Sequence, residues 1–301
     1  MIDLKKLVDA GVHFGHKTSR WNPKMEPFIW GERNNIHLIN VRATGERLEK
    51  AAQFLENIAA AKKTILWVGT KKVSQEPITQ VGKRLNSPYV IHRWIGGTLT
   101  NYSQVKKSVT KLLHYEDILS KSQQFSYTKK EYGMFQKMVD RLMKNVGSIR
   151  SFTLPVGAVV IVDVKKEQTA LREAAAMGIP VVALVDTNSD PSMVQYPIPA
   201  NDDAKASIEV IMGYLADAVV KGQERAAQAK EDARMAAEMA VEEDAAQLLP
   251  KEMTEEEENA RRVARKKGSD LTKPKEDAPK QRRPMGPSRP MGQRRPIKKE
   301  D

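Results

Sequence analysis

The stretch AVVIVDVKKEQTALREAAAMGIPVVALVD, from Ala158 to Asp186, contains two short apolar runs separated by a helical pattern. Continuous apolar runs of this length are typical of strands buried on both faces of a parallel sheet. Between them, Glu167 to Met177 has helical spacing, and Gly178 and Pro180 follow it, as expected where a helix ends. The stretch therefore predicts a strand–helix–strand unit.

The same alternation continues towards the N-terminus. TILWVGT, residues 64–70, predicts another buried strand, which leads into a helix over Val73 to Leu85. PYVI, residues 88–91, repeats the strand pattern weakly. Strands that alternate with helices require crossover connections, and the predicted fold class is therefore α/β, with a doubly wound parallel sheet.

Two further patterns precede this unit. PFIWGE and NIHLINV flank a turn at Gly31 to Asn35 and predict a β-hairpin. Ala43 to Lys63 carries apolar residues at helical spacing and predicts a helix with Thr44 as its N-cap.

Residues 103–150 interrupt the alternation. Apolar residues recur there at steps of three and four in two successive runs, which predicts an antiparallel pair of helices inserted into the sheet domain. The segment holds 10 basic and 4 acidic side chains. Since a two-helix hairpin buries little by itself, we expect this basic pair to lean on the sheet domain or on a partner.

Charge is unevenly distributed along the remaining chain. The net charge is +12 over 301 residues, which suggests a polyanionic partner. Residues 222–258 carry 12 acidic and 4 basic groups, whereas 259–301 carry 15 basic and 5 acidic groups. Both tracts are too polar to fold alone, and we expect residues 226–301 to form a largely disordered, low-complexity extension with at most a frayed helix at its start.

Several functional classes lack support in the sequence. There is no cysteine, which excludes disulfides and thiolate chemistry. No segment resembles a membrane helix or the apolar core of a signal peptide, so we expect a soluble protein that is not exported. The sequence GTKKVSQE after a predicted strand matches neither phosphate-binding glycine loop, and no nucleophile elbow or H-E-x-x-H motif occurs. A catalytic site therefore has no support in the sequence, and no cofactor is predicted.

Histidines and aspartates raise the question of a metal. His13 and His16 lie three residues apart, and Asp186, Asp190, Asp202 and Asp203 cluster near predicted strand ends. The simpler interpretation is that they pack locally and cap turns. No complete ligand set is spelled out, and no metal is predicted.

Two loops carry the residue types that bind RNA. In HKTSRWNPKM, Arg20 and Lys24 could neutralise phosphates and Trp21 could stack on a base, although Trp21 could equally be a core anchor. In IHRWIGGTLTNY, Gly96 and Gly97 would let a phosphate approach the backbone while Thr98 caps the following helix; alternatively, the pair of glycines is only a hinge. Together with the nearby basic helix, these loops predict an RNA-binding set: Arg20, Trp21, Lys24, Arg93, Trp94, Gly96, Gly97, Thr98, Asn101, Lys106, Lys107 and Lys111.

Three segments of the sequence, taken in their order along the chain, resemble a known family. GVHFGHKTSRWNPKMEPFIWGERNNIHLINV, HRWIGGTLTNYSQVKKSV and GIPVVALVDTNSDPSMVQYPIPANDDAKASI closely resemble the bacterial-type small-subunit ribosomal protein two family, also called uS-two. The resemblance runs through about residues 1–225. It does not identify which of the matching residues contact RNA.

The resemblance implies a flavodoxin-like sheet domain formed by residues 1–102 and 151–225, with residues 103–150 as a protruding coiled-coil hairpin. It also implies a structural, non-enzymatic role in the cytoplasm as part of the small ribosomal subunit. The implied partners are small-subunit rRNA and neighbouring ribosomal proteins, including the large mRNA-binding protein one, with neither a membrane nor a small-molecule substrate. Family members typically end soon after the last sheet-packing helix, so the long charged extension is a departure, either a solvated tail or an arm that threads into rRNA.

Two interpretations from other classes remain open. One is an α/β enzyme or nucleotide-binding regulator that uses the crevice at the carboxyl ends of the strands. The other is a protein adaptor whose helical hairpin docks another coiled coil.

Overall fold

The computed structural model describes residues 3–121 and 127–248 of the chain. It divides into two units, Met1–Ala237 and Glu238–Asp301, and of the second unit only residues 238–248 are described. Residues 249–301, for which the sequence predicts disorder, lie outside the described part. No helix within the described ranges is both long enough and apolar enough to span a membrane.

A small antiparallel sheet forms the N-terminal part. Helix α1 (Leu4–Asp9) precedes strands β1 (Phe14–Lys17), β2 (Ile29–Arg33) and β3 (Ile36–Ile39), which lie in the order β1-β3-β2. The predicted hairpin is confirmed, since β2 and β3 pair antiparallel. The two turn residues between them, Asn34 and Asn35, have φ of 51° and 59°, the left-handed backbone that tight two-residue hairpin turns require and asparagine tolerates.

Helix α2 (Val41–Ala60) begins three residues before Thr44, the residue predicted as its N-cap. Its N-cap is Asn40, whose Oδ1 accepts hydrogen bonds from the amides of Arg42 and Ala43. The prediction of Thr44 as the cap is therefore wrong. Thr44 is buried, and its hydroxyl donates to the carbonyl of Pro199 at 2.6 Å, which joins α2 to the edge of the main sheet.

The main sheet is parallel and has five strands: β4 (Thr64–Val68), β5 (Tyr89–Val90), β6 (Val156–Val162), β7 (Val181–Val185) and β8 (Tyr196–Pro199). Their spatial order is β5-β4-β6-β7-β8, which is the flavodoxin-like order. Strand β8 was not predicted. Its sequence, YPIP, contains two prolines, which argue against a central strand but are tolerated at a sheet edge, where β8 lies.

Helices cover both faces of this sheet, as the alternation predicts. Helices α2, α3 (Gln75–Arg84) and α7 (Lys205–Leu248) contribute to one buried core, against alternate residues of the strands such as Trp67 and Val160. Helix α6 (Gln168–Ala176) contributes to the core on the other face, with strand residues such as Val159 and Ile161. The described part of α7 extends to Leu248, well into the segment predicted to be largely disordered.

Helices α4 (Tyr102–Ser120) and α5 (Lys129–Val146) occupy the predicted insertion. They pack on each other, with the rings of Tyr115 and Phe135 stacked at 5.7 Å. Thr128 begins α5 with a capping box, in which its side chain and that of Glu131 exchange hydrogen bonds with the backbone. Buried residues of both helices, including Leu112 and Val139, belong to the same core as the α6 face of the sheet. The helical pair therefore leans on the sheet domain.

Candidate nucleic-acid interface

The loop between β5 and α4, which contains the two adjacent glycines, is organised around a buried carboxylate. Glu173 is a buried residue of α6, and its Oε1 accepts from the indole Nε1 of Trp94 at 2.9 Å and from the amide of Gly97 at 2.8 Å. Its Oε2 accepts from the amides of Leu99 at 3.0 Å and Thr100 at 3.4 Å. The loop therefore binds an anion, but that anion is a side chain of the protein.

The hydrogen bonds from the loop favour the charged form of this carboxylate. Burial raises the pKa of Glu173, but the hydrogen bonds from Trp94 and from the loop amides outweigh burial and lower the pKa below its usual value. A carboxylate that accepts hydrogen bonds from several fixed N–H groups holds those groups strongly, because each hydrogen bond is charge-assisted and shielded from water. Glu173 thus fixes the loop directly ahead of α4.

This geometry changes the roles of two residues in the predicted RNA-binding set. Trp94 and Thr98 are 7% and 1% exposed, so neither side chain is presented at the surface. The prediction that Thr98 caps α4 is wrong: the N-cap position is Asn101, and the hydroxyl of Thr98 donates back to the carbonyl of Ile95 at 2.6 Å. Arg93, Gly96 and Asn101 remain exposed on the same loop.

The two glycines differ in the space that surrounds them, so the same substitution at each position gives a matched test. Gly97 has a φ of 87°, and a Cβ there would lie 3.2 Å from the Cβ of Asn101, whereas a Cβ on Gly96 meets nothing within 4 Å. We expect Gly97→Ala to lower the free energy of unfolding by about 1–2 kcal/mol, because an L side chain disfavours positive φ. Gly97→Val should lower the free energy of unfolding by more than Gly97→Ala does.

The control is Gly96→Ala, which we expect to change the free energy of unfolding by less than about 0.5 kcal/mol. Urea unfolding followed by circular dichroism measures all three variants. Equal losses for Gly96→Ala and Gly97→Ala would contradict the distinct roles of the two positions. A large loss at Gly97 supports the hinge interpretation of the glycine pair over close approach of a phosphate.

The N-terminal candidates lie on a second loop, which runs from β1 to β2. Trp21 is 37% exposed, with its ring 5.2 Å from that of His37, so it is not a core anchor. Arg20 is exposed. Lys24 is also exposed and forms an ion pair with Asp190 at 2.7 Å, and this hydrogen bond lowers the pKa of Asp190 to about 2. The amide of Asn22 donates to the carbonyl of Thr187, which attaches the loop to the carboxyl end of β7.

The basic residues of the helical pair are all solvent-exposed. Lys106, Lys107 and Lys111 lie on the first three turns of α4, immediately after the loop that Glu173 holds. The exposed basic residues of α5 are Lys129, Lys130, Lys137, Arg141 and Lys144. Because these charges are presented by helices rather than by a mobile loop, their spacing is fixed before any partner binds.

A third cluster, which sequence reasoning only partly anticipated, lies at the carboxyl ends of the parallel strands. Lys71, two residues beyond Gly69, contacts Asp202 at 2.7 Å, Asp203 at 2.5 Å and Asp163 at 3.7 Å. Burial lowers the pKa of Lys71, but its hydrogen bonds to Asp202 and Asp203 outweigh burial and raise it. The carboxyl ends of the strands, where a flavodoxin-like fold holds its ligand, thus carry this group of paired charges.

The candidate metal ligands separate into two groups. His16, Asp186 and Asp202 come together, and Asp203 lies beside them. The hydrogen bond with Asp186 raises the pKa of His16, and burial raises the pKa of Asp202 well above its usual value. His13 instead packs its ring 4.0 Å from that of Phe14, and Asp190 pairs with Lys24.

Sequence reasoning missed Glu173 and Lys71. Glu173 gives a usable signal, because it is a carboxylate within the apolar stripe of α6, beside Ala170 and Ala174. Lys71 gives none, since a lysine after a strand is ordinarily a solvated side chain.

Comparison with known proteins identifies the family. A sequence profile described as "Ribosomal protein S2" matches residues 7–222. A relative from Coprothermobacter proteolyticus is 44% identical over 227 residues, covering 74% of this chain and 84% of its own length. One from Bifidobacterium longum is 45% identical over 222 residues, covering 73% and 79%. One from Amoebophilus asiaticus is 39% identical over 301 residues, covering 96% and 95%, so its similarity includes the C-terminal extension.

The fold, the exposed basic helices and these matches define the class as a ribosomal protein rather than an enzyme. All three relatives carry the name "Small ribosomal subunit protein uS2". The chain belongs to the ribosomal protein S2 family.

Proposed function

We propose that this chain binds small-subunit rRNA through the exposed basic face of α4, together with the Arg93–Asn101 loop and the Arg20–Lys24 loop. As a member of the ribosomal protein S2 family it is a structural constituent of the small ribosomal subunit in the cytoplasmic ribosome, a particle of rRNA and proteins. The observation that carries the proposed contact surface is the row Lys106, Lys107 and Lys111, exposed on a helix that Glu173 fixes at its start.

The physical mechanism is phosphate neutralisation by a preorganised surface. Lysines on a helix release counterions from RNA phosphates without reading sequence, so they position the protein, and the assembled particle provides specificity. The exposed Arg20 and the partly exposed Trp21 offer a cation and a stacking face at the second loop. Trp94 and Thr98 act indirectly in this proposal, by shaping the first loop from inside.

We further propose that α4 and α5 form an antiparallel coiled-coil hairpin inserted into the sheet domain formed by residues 1–102 and 151–225, with residues 226–301 as a separate extension. Support comes from the seam of buried residues that both helices share, including Leu112 and Val139. Exposed apolar side chains also lie on the pair: Leu113, Met134 and Met143 are 49%, 56% and 45% exposed. They offer a surface for a neighbouring ribosomal protein, and protein one is the partner we propose to test first.

Direct binding tests the RNA surface. The full-length chain should bind transcribed small-subunit rRNA, and the logarithm of the association constant should fall linearly with the logarithm of salt concentration between about 50 and 200 mM. Filter binding over this range gives the slope. Binding that does not weaken as salt rises would contradict phosphate neutralisation as the mechanism.

A further inference from the structure

One face of the small antiparallel sheet is open to solvent. Leu38 on the central strand β3 pairs with Phe14 on β1 and with Gly31 on β2, so these three positions share a face. A Cβ on Gly31 would meet nothing within 4 Å. His37, the next residue along β3, lies on the opposite face, where both its ring nitrogens are buried and its ring is 5.2 Å from that of Trp21. The sheet is therefore covered on the His37 side and open on the Leu38 side.

Two aromatic rings are exposed on this open face. Phe14 on β1 is 48% exposed, and Trp30 on β2 is 76% exposed. Trp30 and Leu38 line the same shallow cavity of about 300 Å³, so the two rings lie on either side of the central strand. Rings left in water forgo the stabilisation that burial would give them. Two of them on one open sheet face mark a site of interaction.

The same face carries two cations at the end nearest the hairpin turn. Lys17 on β1 and Arg33 on β2 both pair with Ile36 on β3, so they flank this residue with their Cα atoms about 10 Å apart. Both side chains are exposed, and neither forms an ion pair with another residue in the part of the chain that the structure describes. Glu32, the neighbour of Arg33, belongs to the opposite face of the sheet. The positive charge of the open face is thus uncompensated.

Exposed rings beside unpaired cations fit a single-stranded nucleic acid. Unpaired bases stack on aromatic side chains, while the phosphates that join them are neutralised by lysine and arginine. A duplex would use the cations alone, because its bases are already stacked on one another. An apolar protein surface would use the rings alone and would leave Lys17 and Arg33 without counter-charges. The combination therefore favours single-stranded RNA.

We propose that the open face of the small sheet binds a single-stranded segment of RNA. Phe14 and Trp30 stack on unpaired bases, and Lys17 and Arg33 neutralise the phosphates that follow. The site goes beyond the proposed function, because none of these four residues belongs to the surface formed by α4 and its two loops. It also differs in kind, since it requires bases that are free of pairing.

The test titrates the full-length chain into two fluorescein-labelled decamers, one of uridine and one of the same charge that lacks bases, and follows anisotropy. The uridine decamer should bind at least about tenfold more tightly than the decamer without bases. Trp30→Leu and Phe14→Leu should each weaken uridine binding about tenfold without changing its dependence on salt. Lys17→Gln combined with Arg33→Gln should reduce the slope of log affinity against log salt by about 1.4 for both decamers.

Matched controls separate stacking and position from general effects. Trp30→Phe keeps an aromatic ring and should retain uridine binding, whereas Met177→Ala removes an exposed apolar side chain elsewhere and should change nothing. Lys165→Gln combined with Arg172→Gln removes two exposed cations in and just before α6 and should leave the salt slope unchanged. Circular dichroism establishes that each variant is folded. If Phe14→Leu is unfolded, the highly exposed Trp30 decides the question.

Equal affinity of the unmodified chain for the two decamers, or unchanged uridine binding in folded Trp30→Leu, would overturn the proposal. The comparison is independent of the proposed function, since lysines on α4 would bind both decamers alike. A second experiment places the site in the particle: benzoylphenylalanine replaces Trp30 in purified small subunits, which are then irradiated. We expect a cross-link to RNA, and a cross-link to protein alone would assign this face to a protein partner instead.

Discussion

Glu173→Gln is expected to lower the free energy of unfolding by about 2–4 kcal/mol, because it removes the charge that binds the β5–α4 loop. The substitution is nearly isosteric, yet an amide presents an N–H group where the carboxylate accepts hydrogen bonds from two sides. Either the indole of Trp94 and the amide of Gly97, or the amides of Leu99 and Thr100, would then face another donor. Urea unfolding followed by circular dichroism measures the loss.

The control is Glu231→Gln, an identical chemical change at an exposed position of α7, which should alter stability by less than about 0.5 kcal/mol. Because α4 follows the loop directly, hydrogen exchange in the first turns of α4 should increase in Glu173→Gln and not in the control. Unchanged stability in Glu173→Gln would show that the carboxylate does not hold the loop.

The triple substitution Lys106→Glu, Lys107→Glu and Lys111→Glu should leave folding intact but reduce incorporation into small subunits at least about tenfold. Exposed charges contribute little to stability, whereas reversing three of them replaces attraction for phosphates with repulsion. Incorporation is measured by quantifying the tagged variant in purified small subunits. The variant should also give a shallower dependence of rRNA affinity on salt.

A control with the same charge change separates position from net charge. Lys50, Lys221 and Lys230 are exposed on α2 and α7, away from the helical pair, and their replacement with glutamate should affect incorporation much less. Equal loss in both triple variants would mean that total charge, and not the face of α4, governs binding. Full incorporation of the Lys106, Lys107 and Lys111 variant would remove α4 from the proposed contact surface.

The parallel sheet could be predicted because its determinants are local. The runs around Val160 and Val182 are apolar throughout, since both faces of the strands are buried, and Gly178 with Pro180 ends the helix between them. Strand β8 could not be predicted, because its two prolines are atypical of strands and the strand is stabilised by pairing with β7. Thr44 was wrongly predicted to be an N-cap for a related reason. Its hydroxyl donates a hydrogen bond to the carbonyl of Pro199, 155 residues away.

The candidate site was less predictable because its decisive contacts join distant segments. The adjacent Gly96 and Gly97 led to the prediction that a phosphate approaches the backbone of this loop, but the sequence could not reveal that Glu173, 76 residues beyond Gly97, accepts a hydrogen bond from the amide of Gly97. Likewise, His16 and Asp202 are recognisable as ligand types, but only folding brings them together. By contrast, the exposure of Lys106, Lys107 and Lys111 followed from helical periodicity alone.

The most direct test of the account is sedimentation of a tagged full-length copy through sucrose gradients of native lysate, with and without RNase. We predict that the chain migrates with the small subunit at moderate salt and that RNase treatment releases it to the top of the gradient. A chain that remains at the top in every untreated lysate, or that stays in a complex of unchanged size after RNase, would contradict its assignment as an rRNA-bound constituent of the small subunit.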